Sequence, residues 1–334
     1  MLRTSSLESP TSAQLSSPVA VAVLDDYQGV ALEMADWSVL KDRTAVTIFR
    51  DHLSDEARVV ERLKPFDVVC VVRERTPLPR AILEQLPKLR LIASVTMRNA
   101  SIDMAAAKEL GITVCGTRSP SQGAPVLTWA LILALLRNLP AEIASVRDGG
   151  WQVRVGGDLR DKTLGILGLG KIGTAVGSVG RAFGMNVIAW SQNLTQQIAE
   201  ERGARLVTKE ELFGTADIVT THLVLSDRTR GIIGATELAL MKPSAYLVNT
   251  SRGRLVDEAA LVDALRYHRI AGAALDVYDV EPLPQNHPFR SMSNVLATPH
   301  IGFVTRETFK MFYGDTVENI TAWLQGKPIR VLNP

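Results

Sequence analysis

Residues 168–173 read GLGKIG, and their setting constrains the chain more than any other feature. An apolar run at 164–167 precedes the hexapeptide, and a helical pattern at 174–183 follows it. Strand, glycine turn and helix in that order make a dinucleotide-binding turn. Gly168 permits the tight turn, Gly170 lets the backbone approach a pyrophosphate, and Gly173 lets the helix pack closely on the strand. The helix N-terminus then presents free N–H groups and a partial positive charge to the phosphates.

The alternation of strand and helix extends well beyond this turn. Short β-branched runs at 19–24, 46–49, 67–72, 89–95 and 112–115 read as strands. Helical patterns at 56–63, 80–86 and 103–110 separate them, the last closed by Gly111. A second series has strands at 163–167, 186–190, 217–221, 245–249, 272–277 and 294–297. Its helices are expected at 174–183, 196–202, 235–240 and 258–267. Alternation of this kind predicts an α/β fold with parallel sheets covered on both faces. Two Rossmann-like domains with a cleft between them are expected, the second six-stranded. The stretch 119–125, with two prolines and a glycine, separates the two series, and 124–139 reads as one long buried helix. The final helix, about 307–325, is expected to return to the first domain. The predicted division is a disordered leader at 1–17, a substrate domain of 18–117 plus 305–334, and a dinucleotide domain of 118–304.

The length of 334 residues suits two domains, and 46% hydrophobic with 22% charged residues is an ordinary globular composition. A net charge of +2 gives no reason to expect nucleic acid or an anionic membrane as partner. No apolar run approaches the roughly 20 residues that span a bilayer. Cys70 and Cys115 sit in apolar strand-like runs, which suggests buried thiols in a reducing compartment rather than a disulfide. No His or Cys spacing suggests a metal site. With no secretory leader visible, the cytoplasm is the expected location.

Three later segments are more specific: VNTSRGRLVD (248–257), ALDVYDVEPLP (274–284) and TPHIG (298–302). Together with GLGKIG and AFGMNV (182–187), in this order, they resemble the D-2-hydroxyacid dehydrogenase family, most closely over residues 90–303. The resemblance implies NAD(P)H-dependent interconversion of a 2-keto acid and a D-2-hydroxy acid. It places Arg252, Glu281 and His300 at the family's catalytic positions. Hydride transfer to a ketone leaves an alkoxide that needs a proton, which an imidazolium supplies near neutral pH. A neighbouring carboxylate favours the charged imidazole and orients it, a role for Glu281 toward His300. Arg252 suits the substrate carboxylate through paired N–H donors. The cofactor positions so implied begin with Gly168, Leu169, Gly170, Lys171, Ile172 and Gly173. They continue with Ser191, with His222, Leu223 and Val224, with Thr250 and Ser251, and with Asp276 and Gly302. His222 is expected to contribute backbone or packing rather than a proton. His52, His268 and His287 carry no motif and read as structural.

Two departures from the family pattern bear on specificity. NAD-preferring members place a carboxylate at the end of the second strand of the dinucleotide domain, where this chain has Ser191, Gln192 and Asn193. No arginine stands at 192 or 193 to meet a 2′-phosphate. NAD is the expected cofactor, with NADP left open. The family's glycine-rich substrate loop is replaced by SVTMRNASID (94–103). Met97 and Arg98 remain the expected substrate contacts. Arg98 either favours a substrate with a second anionic group or turns to solvent and Asp103.

The expected substrates are hydroxypyruvate, glyoxylate, phosphoglycerate or a relative. The chain ends soon after its last helix, so the regulatory domains of long phosphoglycerate dehydrogenases are not expected. A corepressor-like nucleotide sensor is the alternative of a different class. Formate oxidation pairs the histidine with glutamine, and Glu281 argues against it. The apolar helix at 124–139 predicts burial on every face, most easily in a homodimer.

Overall fold

The computed structural model describes residues 17–120 and 122–334. The leader expected at 1–17 lies, apart from Ser17, outside them. In chain order the elements are β1 (Val19–Val23), β2 (Thr44–Ile48), α1 (Glu56–Leu63), β3 (Val68–Val71), α2 (Arg80–Leu83), β4 (Leu91–Ser94), α3 (Met104–Glu109) and β5 (Thr113–Cys115). Then come α4 (Gly123–Leu136), α5 (Leu139–Arg147), β6 (Thr163–Leu167), α6 (Lys171–Ala182), β7 (Asn186–Trp190), α7 (Gln196–Glu201), β8 (Arg205–Leu206) and α8 (Lys209–Thr215). The series closes with β9 (Ile218–Thr221), α9 (Ala235–Leu240), β10 (Tyr246–Asn249), α10 (Glu258–Arg266), β11 (Gly272–Leu275), β12 (Val295–Ala297) and α11 (Arg306–Leu324). The chain divides into two compact units, one running to Pro120 and resuming at Thr305–Pro334, the other Ser121–Val304.

The first unit is a five-stranded parallel sheet in the order β2-β1-β3-β4-β5. Strands β3 and β4 are buried at every residue, as parallel strands covered on both faces must be. Helix α1 starts where the Asp55 side chain accepts the Arg58 N–H, and it buries Val59, Val60 and Leu63. Helix α11 packs on β4. Its Asp315 carboxylate, 2% exposed, accepts the Arg118 backbone N–H at 2.7 Å and the guanidinium Nη2 at 2.6 Å. The thiols of Cys70 and Cys115 are free and buried, and burial pushes them up to about 12 and about 11.

The second unit is a seven-stranded parallel sheet in the order β12-β11-β10-β9-β6-β7-β8. The seventh strand, β8, has two residues, too few to show a period-2 pattern in sequence. From β6 the chain steps outward to β7 and β8 and then returns to the other side of β6 as β9. The reversal opens a switch point at the carboxyl ends of β6 and β9, the place where open α/β sheets bind ligands.

The helix expected at 124–139 ends at Leu136, and a further helix, α5, which the pattern does not predict, follows from Leu139. Asn138 adopts φ 50°, which ends α4, and α5 begins with Pro140 in its first turn. Proline within a continuous helix would clash with the carbonyl four residues back, whereas at a helix start it costs nothing. The axes of α4 and α5 differ by 66°. Within the single chain Thr128, Trp129, Leu131 and Ile132 of α4 are buried, while Val126 is 68% exposed and α5 buries no residue. Among the described residues no single helix is long and apolar enough to cross a membrane.

Burial alone would raise the Asp315 carboxyl, but the Arg118 bonds and the charge of Arg330 hold it below the usual carboxylate range. Its contribution is therefore present above the unfolded value and lost as pH falls through the folded one. Asp315→Asn is expected to cost about 1–3 kcal/mol at pH 7, less than a fully buried pair because water screens Arg118. Urea denaturation of both proteins should show the gap closing as pH falls below the usual carboxylate range; a gap independent of pH would refute the ion-pair account.

Candidate active site

The glycine turn is built as tightly as its sequence requires. Gly168 has φ 94° and donates its N–H to the Trp190 carbonyl at 2.9 Å. A Cβ there would lie 2.9 Å from the His222 carbonyl and the Leu223 nitrogen, and one on Gly173 would lie 2.2 Å from the Gly168 oxygen. A Cβ on Gly170, by contrast, would meet nothing within 4 Å. Gly170 precedes α6 without a side-chain cap, so the first-turn N–H groups face open space. Helix α6 starts at Lys171 rather than 174, which brings Lys171, Ile172 and Gly173 into its first turn. Lys171 is exposed, Leu169 is buried, and Ile172 packs on the core. An open helix N-terminus beside a backbone stripped of side chains fits a dinucleotide pyrophosphate. Arg202, just past α7, reaches the Leu169 carbonyl. Ser191 follows β7 and is half-buried.

Across the switch point, the His222 N–H bonds the Leu167 carbonyl at 2.7 Å, and its Nε2 lies 3.0 Å from Thr220 Oγ1. Burial pulls His222 down to about 4, so the ring is neutral at pH 7. The Leu223 carbonyl accepts the Ser251 hydroxyl at 2.8 Å, tying the ends of β9 and β10 together. Val224 is exposed. Thr250 shares a 2.7 Å hydroxyl bond with Thr128 of α4.

Three strand ends of the same sheet carry the polar set. After β10, Asn249 accepts the Ser251 N–H at 3.0 Å and donates to the Arg252 carbonyl at 2.8 Å, which shapes the turn bearing Arg252. After β11, Glu281 accepts the Tyr278 N–H at 2.9 Å through Oε1. Its Oε2 lies 2.6 Å from His300 Nδ1. After β12, His300 has φ 52°, a conformation L-residues seldom adopt unaided. Asp276, with no exposed surface, supplies the restraint. Its carboxylate accepts the Thr298 hydroxyl at 2.7 Å and the Ile301 and Gly302 N–H groups at 2.8 Å each. Burial raises the Asp276 carboxyl, partly offset by these bonds and by His300. Gly253 joins the first two segments, since a Cβ on it would lie 2.1 Å from the Tyr278 carbonyl carbon.

Met97 and Arg98 lie in the first unit, on the loop after β4, and both are exposed. Asn99 braces that loop: it donates to the Arg73 carbonyl at 2.6 Å and accepts from the Ser101 hydroxyl at 2.6 Å. Asp103 caps α3 through the Ala106 N–H. Neither Asn99 nor Asn249 draws notice in the sequence, although an Asx residue two before a serine is a turn signal in both places.

A family model for the NAD-binding domain of D-isomer-specific 2-hydroxyacid dehydrogenases matches residues 129–302. The chain is 43% identical over 256 residues to a glyoxylate reductase of Aeropyrum pernix, covering 74% of this chain and 76% of that one. It is 40% identical over 273 residues to a D-3-phosphoglycerate dehydrogenase of Methanocaldococcus jannaschii, covering 80% of this chain but 52%, about half, of the relative. The fold superposes on a phosphoglycerate oxidoreductase of Vibrio cholerae with a TM-score of 0.88 at 37% identity, covering 92% and 99% of the two chains. With the glycine turn at the switch point and a carboxylate on the strand-end histidine, these similarities establish that the chain belongs to the D-isomer-specific 2-hydroxyacid dehydrogenase family.

Proposed function

We propose that this dehydrogenase reduces a short 2-keto acid of the glyoxylate, hydroxypyruvate or phosphoglycerate-related class to the D-2-hydroxy acid, with NAD the favoured cofactor. The observation that carries the mechanism is the 2.6 Å contact between Glu281 Oε2 and His300 Nδ1. With Nδ1 engaged by the carboxylate, Nε2 is the nitrogen left to deliver a proton to the nascent alkoxide. A carboxylate at that distance fixes the orientation and tautomer of the ring. Arg252 pairs with the substrate carboxylate, and Met97 and Arg98 are proposed as further substrate contacts. The bound nicotinamide supplies the hydride. Gly168, Gly170, Gly173 and the first turn of α6 hold its pyrophosphate, with Leu169, Lys171 and Ile172 lining the turn. Ser191 lies toward the ribose. His222, Leu223, Val224, Thr250, Ser251, Asp276 and Gly302 line the remaining cofactor face. The relatives are named as reductases and dehydrogenases, so a corepressor-like binding role finds no support.

The two buried free thiols suit a reducing compartment, and the cytoplasm is the proposed location. A homodimer is proposed from the second unit's apolar surface. Val126, Leu139, Ile143, Val146, Trp151 and Val153 are each more than 40% exposed within 28 residues of sequence. Apolar side chains gathered on one stretch of chain mark an association surface. Light scattering at micromolar concentration should give twice the chain mass; a monomer mass would exclude the dimer.

His300→Ala is expected to reduce turnover by about 10²–10⁴-fold with NADH affinity nearly unchanged, because only the proton step is lost. Glu281→Gln should retain activity with an altered pH profile for reduction. Without the carboxylate the imidazolium loses its proton more readily, so the basic limb moves to lower pH. A profile that stays in place would remove Glu281 from the dyad.

Cofactor choice is tested at Ser191. A carboxylate there would face a 2′-phosphate in a partly desolvated site, so Ser191→Asp should favour NADH over NADPH by an extra 1–3 kcal/mol, roughly, after screening. The quantity to compare is the ratio of kcat/KM for the two cofactors. An unchanged ratio would mean that Ser191 does not face the ribose.

A further inference from the structure

Glu258 and His287 have no part in the chemistry assigned above, yet both hold the loop that bears Glu281. Glu258 is the first residue of α10, and both of its carboxylate oxygens are used outside that helix. Oε2 accepts the Asp279 N–H at 3.2 Å, and Oε1 lies 3.0 Å from His287 Nε2. The two side chains are 24% and 14% exposed. His287 Nδ1 accepts the Phe289 N–H at 3.3 Å, so the proton of the neutral ring is on Nε2 and is donated to Glu258. Phe289 is buried and packs against both His287 and Tyr278, with ring centroids 4.7 and 6.5 Å away.

Consecutive N–H groups of the loop are therefore held by two different carboxylates. Tyr278 donates to Glu281 and Asp279 donates to Glu258. The Asp279 carboxyl is raised by burial and then by Glu258 and Asp257, with Arg254 and Arg230 acting the other way. What Glu258 offers here is two acceptor oxygens on which two donors converge.

We infer, resting on the dyad assigned above, that Glu258 and His287 are positioning residues that fix the 278–281 turn and so keep the Glu281 carboxylate on His300 Nδ1. The brace has a chemical signature. It requires two acceptors at position 258, and a carboxamide offers one acceptor and one donor group. Glu258→Gln keeps the volume but must break one of the two bonds. At position 287 it requires a donor at the place of Nε2, which glutamine reproduces and leucine does not.

The experiment is the pH profile of kcat for keto-acid reduction, with NADH affinity measured separately by tryptophan fluorescence. The carboxylates facing His300 are Glu281 and Asp276. Glu258→Gln is expected to move the basic limb to lower pH and to lower kcat by roughly three- to tenfold. The KM for the keto acid and the affinity for NADH should stay within about twofold, because the substrate and cofactor contacts are untouched. His287→Leu should move the limb the same way, and His287→Gln should restore it, which keeps the test independent of whether Glu258→Gln folds. In a Glu281→Gln background Glu258→Gln should add no further movement, since both act through one carboxylate. A lower melting temperature with an unmoved limb, or a full additional shift on top of Glu281→Gln, would overturn the positioning role and leave the dyad standing. If Glu281→Gln alone leaves the limb unmoved, the dyad fails and the brace with it.

Discussion

A parallel sheet sends all its carboxyl ends to one edge, and the chemistry of the second unit follows from that constraint. Strands β6, β9, β10, β11 and β12 of one sheet are followed at once by Gly168, His222, Thr250, Asp276 and Thr298. Residues up to 130 positions apart in sequence are thereby collected at one edge. The order reversal beside β6 leaves the edge open at one place, and the glycine turn is at that place. Helix packing then demands small residues at the turn, and the lack of a side chain at Gly170 leaves the N-terminus of α6 accessible.

Within this edge the buried Asp276 carboxylate has an organising role that its sequence context does not announce. From sequence it belongs to the cofactor face. In the fold its oxygens are taken by Thr298, Ile301 and Gly302, which wrap the chain around His300. Three donors converging on one carboxylate offset the cost of its burial and of a left-handed histidine. The dyad thus depends on a residue that touches neither Glu281 nor His300 by hydrogen bond among the contacts described.

The legibility of the fold tracked the length and regularity of its elements. Strands β6 and β7 and helices α1 and α9 have the bounds that their apolar patterns predict. Strand β8 is too short to carry a pattern, so a six-stranded sheet is the natural expectation where seven strands form. Helix α8 escapes apolar periodicity, yet Thr208 with Glu211 three residues on spells its start, and the Thr208 hydroxyl does accept the Glu211 N–H. The break at Asn138 is less legible: Pro140 stands just past the helix predicted at 124–139, and apolar residues on both sides of Asn138 carry the helical pattern across it. In the site, the glycine turn and the Arg–Glu–His set are visible because their motifs are contiguous. The bracing by Asn99, Asn249, Glu258 and His287 is not, since each acts through backbone groups that any sequence would provide.

Gly253 gives this architecture a further property. Its α-carbon lies so close to the Tyr278 carbonyl that no side chain fits between them. The turn bearing Arg252 and the turn bearing Glu281 are therefore seated backbone to backbone, and neither can be displaced without pushing the other. The substrate grip and the proton delivery proposed for these two turns would form one mechanical part, with a spacing set by main-chain atoms. Evolution cannot widen such a site for a bulkier acid by sliding the arginine alone. Diversity of substrate size across relatives with this contact has to be found in segments whose spacing is set by side chains.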